Sequence, residues 1–252
     1  MTKKDLRVLI KVYEEEKYAD DFLNEGAMYM KTLREFKAIE DGEIRGDAHE
    51  GVIAWHQPHD VKVTINSKDI DGNEKIINLD PDQMAGPVII GHNGLGDINI
   101  FCLYAFCIND FNFQYDEKDE ASRLEAEVKA RDFLNAELAK LQDIAVLGEH
   151  AVVIADVRKF FSLLDEQLGG KEFFYKRGIV NYFDPKKFSG FFEEGDAIFQ
   201  KRDSYSNQSE YRVAFRDDSP PEAKLVKLGS LKNIAVKVKV EDLQNLISFK
   251  FN

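Results

Sequence analysis

The stretch from Gln200 to Phe215 reads QKRDSYSNQSEYRVAF and joins a polar loop to a strand-like pattern. Every second residue of its last part is large and apolar or aromatic, as in a half-buried β-strand: Tyr211, Val213 and Phe215. The loop before them carries serine, asparagine and charged residues, which favour turns. We therefore expect a β-strand late in the chain, entered through a polar turn.

Glu210 stands at the entrance to this strand and shares its parity with Gln208. Side chains two positions apart lie on the same face of a strand. Two interpretations of the Glu210 carboxylate are open. It pairs with Arg212 or Arg202 at the end of a sheet, or it faces a cleft and takes part in chemistry.

The composition is that of a globular protein. Of 252 residues, 44% are hydrophobic and 32% are charged, which suffices for an ordinary core and a hydrated surface. No internal repeat or long linker divides the chain. We therefore expect a single α+β domain over residues 1–252, in which strands outnumber helices.

The formal net charge of −12 argues against general affinity for nucleic acid or anionic membranes, because either needs a broad positive field. A local basic cluster nevertheless precedes Glu210. Its members are Lys171, Lys176, Arg177, Lys186, Lys187, Lys201 and Arg202. A solvated face is the simpler interpretation of this cluster, and a substrate-docking face is the alternative.

The two cysteines of the chain, Cys102 and Cys107, lie on one apolar run. Their spacing fits no zinc motif and places them on opposite faces of a strand. The sequence shows no signal peptide and no apolar stretch long enough to span a membrane. We therefore expect a cytoplasmic protein with free thiols in its core and no membrane partner.

Local signals predict most of the secondary structure. Strands are expected near Leu6–Tyr13, Ala27–Met30, Val52–Trp55, Val61–Ile65, Lys75–Leu79, Val88–Ile90, Ile98–Phe106, Ala151–Ala155, Phe173–Tyr182, Tyr211–Phe215, Lys224–Leu228 and Ile234–Val240. Helices are expected near Tyr18–Asn24, from Thr32 through Ile39, over 116–141 and from Asp156 to Leu168. The three strands from Val52 to Leu79 are expected to form a small antiparallel meander.

The loop over residues 40–51 is the densest polar segment and too polar to belong to the core. Asp47, His49 and Glu50 supply oxygen and imidazole groups, but their spacing matches no closed metal motif. The loop is either solvated or salt-bridged, or it binds an anion or a substrate through the forked donors of Arg45.

The turn Gln208-x-Glu210, leading into a late strand, resembles the catalytic turn of the ADP-ribosyltransferase superfamily. The order of other segments resembles a widespread bacterial family of unknown function that is related to DarT-like transferases. The segments that carry this likeness are Gly26–Phe36, the Arg45-x-Asp47 loop, Val180–Tyr182 and Gln208–Arg212. The resemblance implies an α+β fold with a mostly antiparallel split sheet and flanking helices, and NAD as the substrate.

The resemblance also implies roles for particular residues. Glu210 would hydrogen-bond a ribose hydroxyl of NAD and stabilise the positive charge that develops as the nicotinamide bond breaks. Gln208 would orient the acceptor. Arg45 would bind the phosphates of NAD, and Tyr104 or Tyr13 would stack on nicotinamide. No resident metal is implied.

The resemblance implies a protein or a nucleic acid as the acceptor of ADP-ribose, and a toxin or phage-defence effector as the biological role. A different class of function is a catalytically inactive module of the same fold that binds a ligand or partner. Tyr104, near the place where a transferase has a serine, favours this alternative. A third is a metal-dependent nuclease that uses Asp47, Glu50 and Glu210.

Overall fold

The computed structural model describes residues 5–38, 47–108, 119–170, 174–193 and 195–243. Its helices are α1 (Glu16–Glu25), α2 (Leu33–Lys37), α3 (Glu120–Ala145) and α4 (Val157–Leu168). Its strands are β1 (Asp5–Tyr13), β2 (Ala27–Thr32), β3 (Val52–His56), β4 (Val63–Lys68), β5 (Glu74–Leu79), β6 (Val88–Gly91), β7 (Asn99–Ile108), β8 (His150–Ile154), β9 (Phe174–Ile179), β10 (Asn181–Phe183), β11 (Gly190–Phe191), β12 (Gln200–Arg202), β13 (Glu210–Arg216), β14 (Lys224–Lys227) and β15 (Ala235–Lys239). The α+β class expected from the sequence is confirmed.

Backbone contacts divide the chain into two compact units. Unit 1 comprises Met1–Lys31, Asn99–Ile179 and Asn207–Asn252, and unit 2 comprises Thr32–Ile98 and Val180–Ser206. Each unit therefore combines segments that are distant in the sequence. The single domain expected over residues 1–252 stays a prediction.

Unit 1 is organised around an eight-stranded sheet. Its main path runs β14-β2-β7-β1-β8-β15, and β13 pairs with both β7 and β9. The pairs β1–β7, β1–β8, β7–β13 and β9–β13 are all antiparallel. This sheet holds the late strand β13 between two neighbours, which fixes the positions of its side chains.

The two faces of this sheet bury different clusters. Leu103 and Ala105 pack with Phe22 of α1 and Phe160 of α4, whereas Tyr104 packs with Leu141 of α3 on the opposite face. The alternation follows from the two-residue period of a strand. Strand β7 is therefore buried on both faces and reads as a continuous apolar run.

Local caps set the ends of the first helices as their sequences predict. Gly26 ends α1 with φ +63°, a left-handed conformation that glycine adopts without a Cβ clash. Thr32 and Glu35 form a reciprocal capping box at the start of α2. The structure ends α2 at Lys37, and Ile39 lies outside the described residues.

The described residues of unit 2 form three small sheets and the short helix α2. Strands β11, β3 and β6 form one sheet, β4 and β5 form a hairpin, and β10 pairs in parallel with β12. The expected meander from Val52 to Leu79 is therefore wrong in part, because β3 pairs with β6 and β11 instead of β4. Aromatic rings fill the core of this unit, with Phe183 against Trp55 and Phe192.

Two further expectations need correction. The strand expected over Phe173–Tyr182 is two strands, since β9 ends at Ile179 and belongs to unit 1, while β10 belongs to unit 2. The loop judged too polar for the core buries Asp47 and Glu50. Within the described ranges, no helix is both long enough and apolar enough to cross a membrane.

Candidate functional site

The turn into β13 is a tight and conformationally unusual segment. Gln208 is the last residue of a 3-10 segment that begins at Asp203, and it is half-buried. Ser209 follows with φ +39°, which is uncommon for a residue with a side chain. The backbone N–H of Ala105 on β7 donates to the Ser209 carbonyl over 2.7 Å. This bond anchors the turn to the central sheet.

Glu210 is the first residue of β13, and its side chain is held by Arg212. The guanidinium Nε donates to Oε1 over 2.5 Å and Nη2 donates to Oε2 over 3.1 Å. The two residues share a face of the strand because they lie two positions apart. Only 5% of Glu210 and 1% of Arg212 are exposed. The ion pair between Glu210 and Arg212 that the sequence allowed is therefore confirmed.

Strand β7 places two further side chains beside this pair. Tyr104 lies directly opposite Glu210, and Cys102 lies opposite Arg212. Burial raises the pKa of the Cys102 thiol, and the Glu210 carboxylate raises it further. The thiol is therefore protonated at neutral pH and unsuited to nucleophilic attack.

Tyr13 does not join Tyr104 and Glu210. Ile10 pairs with Tyr104, and Tyr13 stands three residues further along β1, which places its side chain on the opposite face of the sheet. Its ring lies 6.0 Å from that of Phe22. Burial, and secondarily Asp21, raise the pKa of the Tyr13 hydroxyl. Of the two tyrosines expected to stack on nicotinamide, only Tyr104 adjoins Glu210.

The Arg45 loop is described only in its second half. Arg45, the expected phosphate ligand, lies outside the described residues. Asp47 accepts a hydrogen bond from Arg202 Nη2 over 2.8 Å, and Glu50 Oε1 lies 3.1 Å from Lys201 Nζ. Of the interpretations left open for this loop, the salt-bridged one describes Asp47 and Glu50.

The same ion pairs correct the interpretation of the basic cluster. Lys201 is only 3% exposed, so it does not belong to a solvated face. Arg202 donates hydrogen bonds to Asp47 and Tyr205, all within unit 2. The cluster is therefore partly an internal ion network.

Arg177 on β9, another member of the cluster, also binds a carboxylate at two points. Its guanidinium donates to both carboxylate oxygens of Asp165 on α4 and lies 4.0 Å above the ring of Phe161. Phe161 in turn stacks on Tyr211 of β13. This arrangement fastens α4 to the edge of the sheet.

The described residues contain no group of three or more histidine, cysteine, aspartate or glutamate side chains placed to hold a metal ion. A cavity of about 420 Å³ lies in unit 1 between the end of α3 and the end of β15. Leu141 and Leu243 line it, whereas Glu210, Gln208 and Tyr104 do not. We therefore locate the candidate site by its side chains and not by this cavity.

Sequence reasoning named Glu210, Gln208 and Tyr104, which the structure brings to one end of the β7–β13 pair. The sequence predicts Arg212 only as an ion-pair partner of Glu210, and it predicts no place for Cys102 beside them. The placement of Arg212 and Cys102 follows from the register of β7 and β13, which pairs Glu210 with Tyr104 and Arg212 with Cys102. The sequence does not display this register. Comparison of the chain with family models, curated proteins and solved structures found no match.

Proposed function

We propose that the chain cleaves the nicotinamide–ribose bond of NAD and transfers ADP-ribose to a macromolecular acceptor. One observation carries this proposal. The buried Glu210 directly follows Ser209, which has a left-handed backbone conformation, and Gln208 directly precedes Ser209. The Gln-x-Glu pattern that resembles the transferase turn thus coincides with an uncommon backbone conformation at Ser209. Precise positioning of a few groups is what such a reaction requires.

The chemistry follows from the charge that develops at the ribose. The bond between the ribose C1′ and the nicotinamide nitrogen breaks, and nicotinamide leaves with the electron pair. The positive charge left at C1′ is stabilised by the Glu210 carboxylate through the hydrogen bond to a ribose hydroxyl. A nucleophile of the acceptor then bonds to C1′, and its proton passes to solvent. In this account Gln208 orients the acceptor.

Tyr104 completes the proposed site. It lies opposite Glu210 on β7 and is almost fully buried. An aromatic ring in this position suits a flat heteroaromatic ring such as nicotinamide. We assign the stacking role to Tyr104 and not to Tyr13, because Tyr13 lies on the other face of the sheet.

The net charge favours a protein acceptor over a long nucleic acid, since a chain with a formal charge of −12 is repelled by a phosphate backbone. Toxin or phage-defence activity is the biological role proposed for this chemistry. Incubation with labelled NAD, and separately with protein extract or oligonucleotides, distinguishes the two acceptor classes by which macromolecule becomes labelled.

The direct test compares wild type with Glu210→Gln. Nicotinamide release and label transfer are expected in wild type and should fall by about 100-fold or more in the variant, as for a removed transition-state contact. Glu137→Gln is the matched control, because Glu137 is also a buried glutamate of unit 1 but lies on α3. Equal turnover in wild type and Glu210→Gln would refute the proposal.

One observation favours the second candidate, an inactive binding module of the same fold. Both carboxylate oxygens of Glu210 accept hydrogen bonds from Arg212, and such a carboxylate can be purely structural. This candidate predicts that NAD binds without release of nicotinamide. Titration calorimetry with NAD, run beside the turnover assay, separates the two. The nuclease alternative has no comparable support, since Asp47 and Glu50 are ion-paired to Arg202 and Lys201.

A further inference from the structure

The fork between Arg212 and Glu210 fixes the orientation of the carboxylate and not only its charge. Two parallel N–H···O bonds lock the plane of a carboxylate against the plane of a guanidinium. The Nε–Oε1 and Nη2–Oε2 distances of 2.5 and 3.1 Å describe such a two-point contact. A lysine in this place would supply charge but only a single point of contact.

Arg212 is itself anchored on both sides. Its backbone lies between Cys102 of β7 and Gly178 of β9, in the interior of β13. Glu210, by contrast, stands at the first position of the strand and follows the left-handed Ser209. The guanidinium therefore connects the strand entrance to the firmly paired interior of the sheet.

Burying this ion pair carries a desolvation cost, so its presence is weak evidence for a stabilising role. An ion pair withdrawn from water recovers its desolvation cost only with good geometry, and an apolar pair of similar volume often gives equal or greater stability. The fork engages both oxygens of Glu210 and therefore fixes the plane of its carboxylate.

We propose that Arg212 is a positioning residue, which holds the Glu210 carboxylate in the orientation that receives the ribose hydroxyl of NAD. This proposal rests on the proposed function. It adds that the reaction depends on the forked shape of the Arg212 side chain, so that a positive charge in the same place is insufficient.

Arg212→Lys tests the shape requirement. It retains the charge, and we expect kcat for nicotinamide release to fall by about 10- to 100-fold while KM for NAD changes less than about 3-fold. Arg177→Lys is the matched control. It replaces another arginine that binds a carboxylate, on strand β9 of the same sheet, and it should leave kcat unchanged. Wild-type kcat in Arg212→Lys would overturn the proposal.

The double variant Glu210→Gln/Arg212→Lys separates positioning from a general structural role. If Arg212 acts through Glu210, its replacement causes no further loss of kcat once the carboxylate is gone. An equal loss of kcat in both backgrounds would overturn the proposal, because it would show that Arg212 acts independently of Glu210.

A second variant keeps the test valid if Arg212→Lys does not fold. Glu210→Asp retains both charges but shortens the acid by one methylene, which withdraws the carboxylate from the fork. We expect a loss of kcat similar to that of Arg212→Lys, and retention of wild-type kcat would contradict the positioning role. The absence of nicotinamide release from the wild type would instead refute the proposed function itself.

Discussion

Glu50 and Lys201 form a buried ion pair in which Oε1 and Nζ lie 3.1 Å apart and only 1% and 3% of the side chains are exposed. Removal of one partner leaves the charge of the other partner in the core without this ion pair. We predict that Glu50→Gln and Lys201→Met each lower the free energy of unfolding by about 3–5 kcal/mol. Urea denaturation measures this loss.

The double variant Glu50→Leu/Lys201→Met provides the control. It removes both charges together, so its loss of stability should be well below the sum of the two single losses. Strict additivity of the single losses would contradict the interpretation of these residues as one buried pair.

Gly26 is expected to tolerate no side chain. Its φ is +63°, and an added Cβ would lie 2.6 Å from the Gly229 carbonyl oxygen, which is backbone. We predict that Gly26→Ala lowers the free energy of unfolding by more than about 2 kcal/mol, from steric overlap added to the left-handed cost. Thermal unfolding of the purified variant measures it.

Gly72→Ala is the matched control for this prediction. Gly72 also has a positive φ, +84°, but an added Cβ would meet no atom within 4 Å. Its replacement should lower the free energy of unfolding only by the cost of the left-handed backbone conformation, about 1 kcal/mol. Similar losses at both positions would show that the close approach to Gly229 contributes nothing.

The turn before Glu210 should depend on the conformation of Ser209. With φ at +39°, glycine at this position adopts the same conformation more easily, whereas a β-branched residue does not. We predict that Ser209→Gly keeps or slightly raises stability and that Ser209→Val lowers it by about 1–2 kcal/mol. A lower stability for the glycine variant than for the valine variant would contradict the left-handed turn.

Asp217 should make stability depend on pH in the acid range. Hydrogen bonds from Lys224 and Ser219 lower the pKa of this carboxyl group to about 2. The unfolded value is about 3.9, so the ionised group stabilises the fold above about pH 4 and this contribution is lost as the pH falls towards 2. Asp217→Asn should therefore be less stable than wild type at pH 7 by about 1 kcal/mol and equal to it near pH 2.

The comparison for Asp217 is its neighbour Asp218. Unfolding measured from pH 7 to pH 2 for wild type, Asp217→Asn and Asp218→Asn gives the required curves. A stability difference between wild type and Asp217→Asn that persists unchanged to pH 2 would contradict the ionic origin of the effect.

Much of the local structure could be predicted because its signals lie within a few residues of each other. The capping box needs only Thr32 and Glu35, the end of α1 needs only Gly26, and Asp156 caps α4 through the Lys159 N–H. Such features depend on backbone geometry more than on distant contacts.

The burial of charged groups could not be predicted in the same way. Asp47 and Glu50 belong to the core because Arg202 and Lys201 neutralise them, and the two segments are far apart in the chain. The break between β9 and β10 also depends on distant segments, because β9 pairs with β13 and β10 pairs with β12.

The structure brings Glu210 and Tyr104 together, and the sequence alone does not show this arrangement. Glu210 and Tyr104 became neighbours through the register of β7 and β13, which the sequence does not display. Tyr13, the alternative to Tyr104 for stacking on nicotinamide, lies on the other face because of the register of β1. A strand register shifted by one residue would exchange the faces, so site geometry depends on long-range pairing.

Nicotinamide release from NAD by wild type and Glu210→Gln is the most direct test of the proposed function. The proposal predicts turnover in wild type, a loss of about 100-fold or more in Glu210→Gln, and wild-type turnover in Glu137→Gln. Turnover that is absent from the wild type, or unchanged in Glu210→Gln, would contradict it.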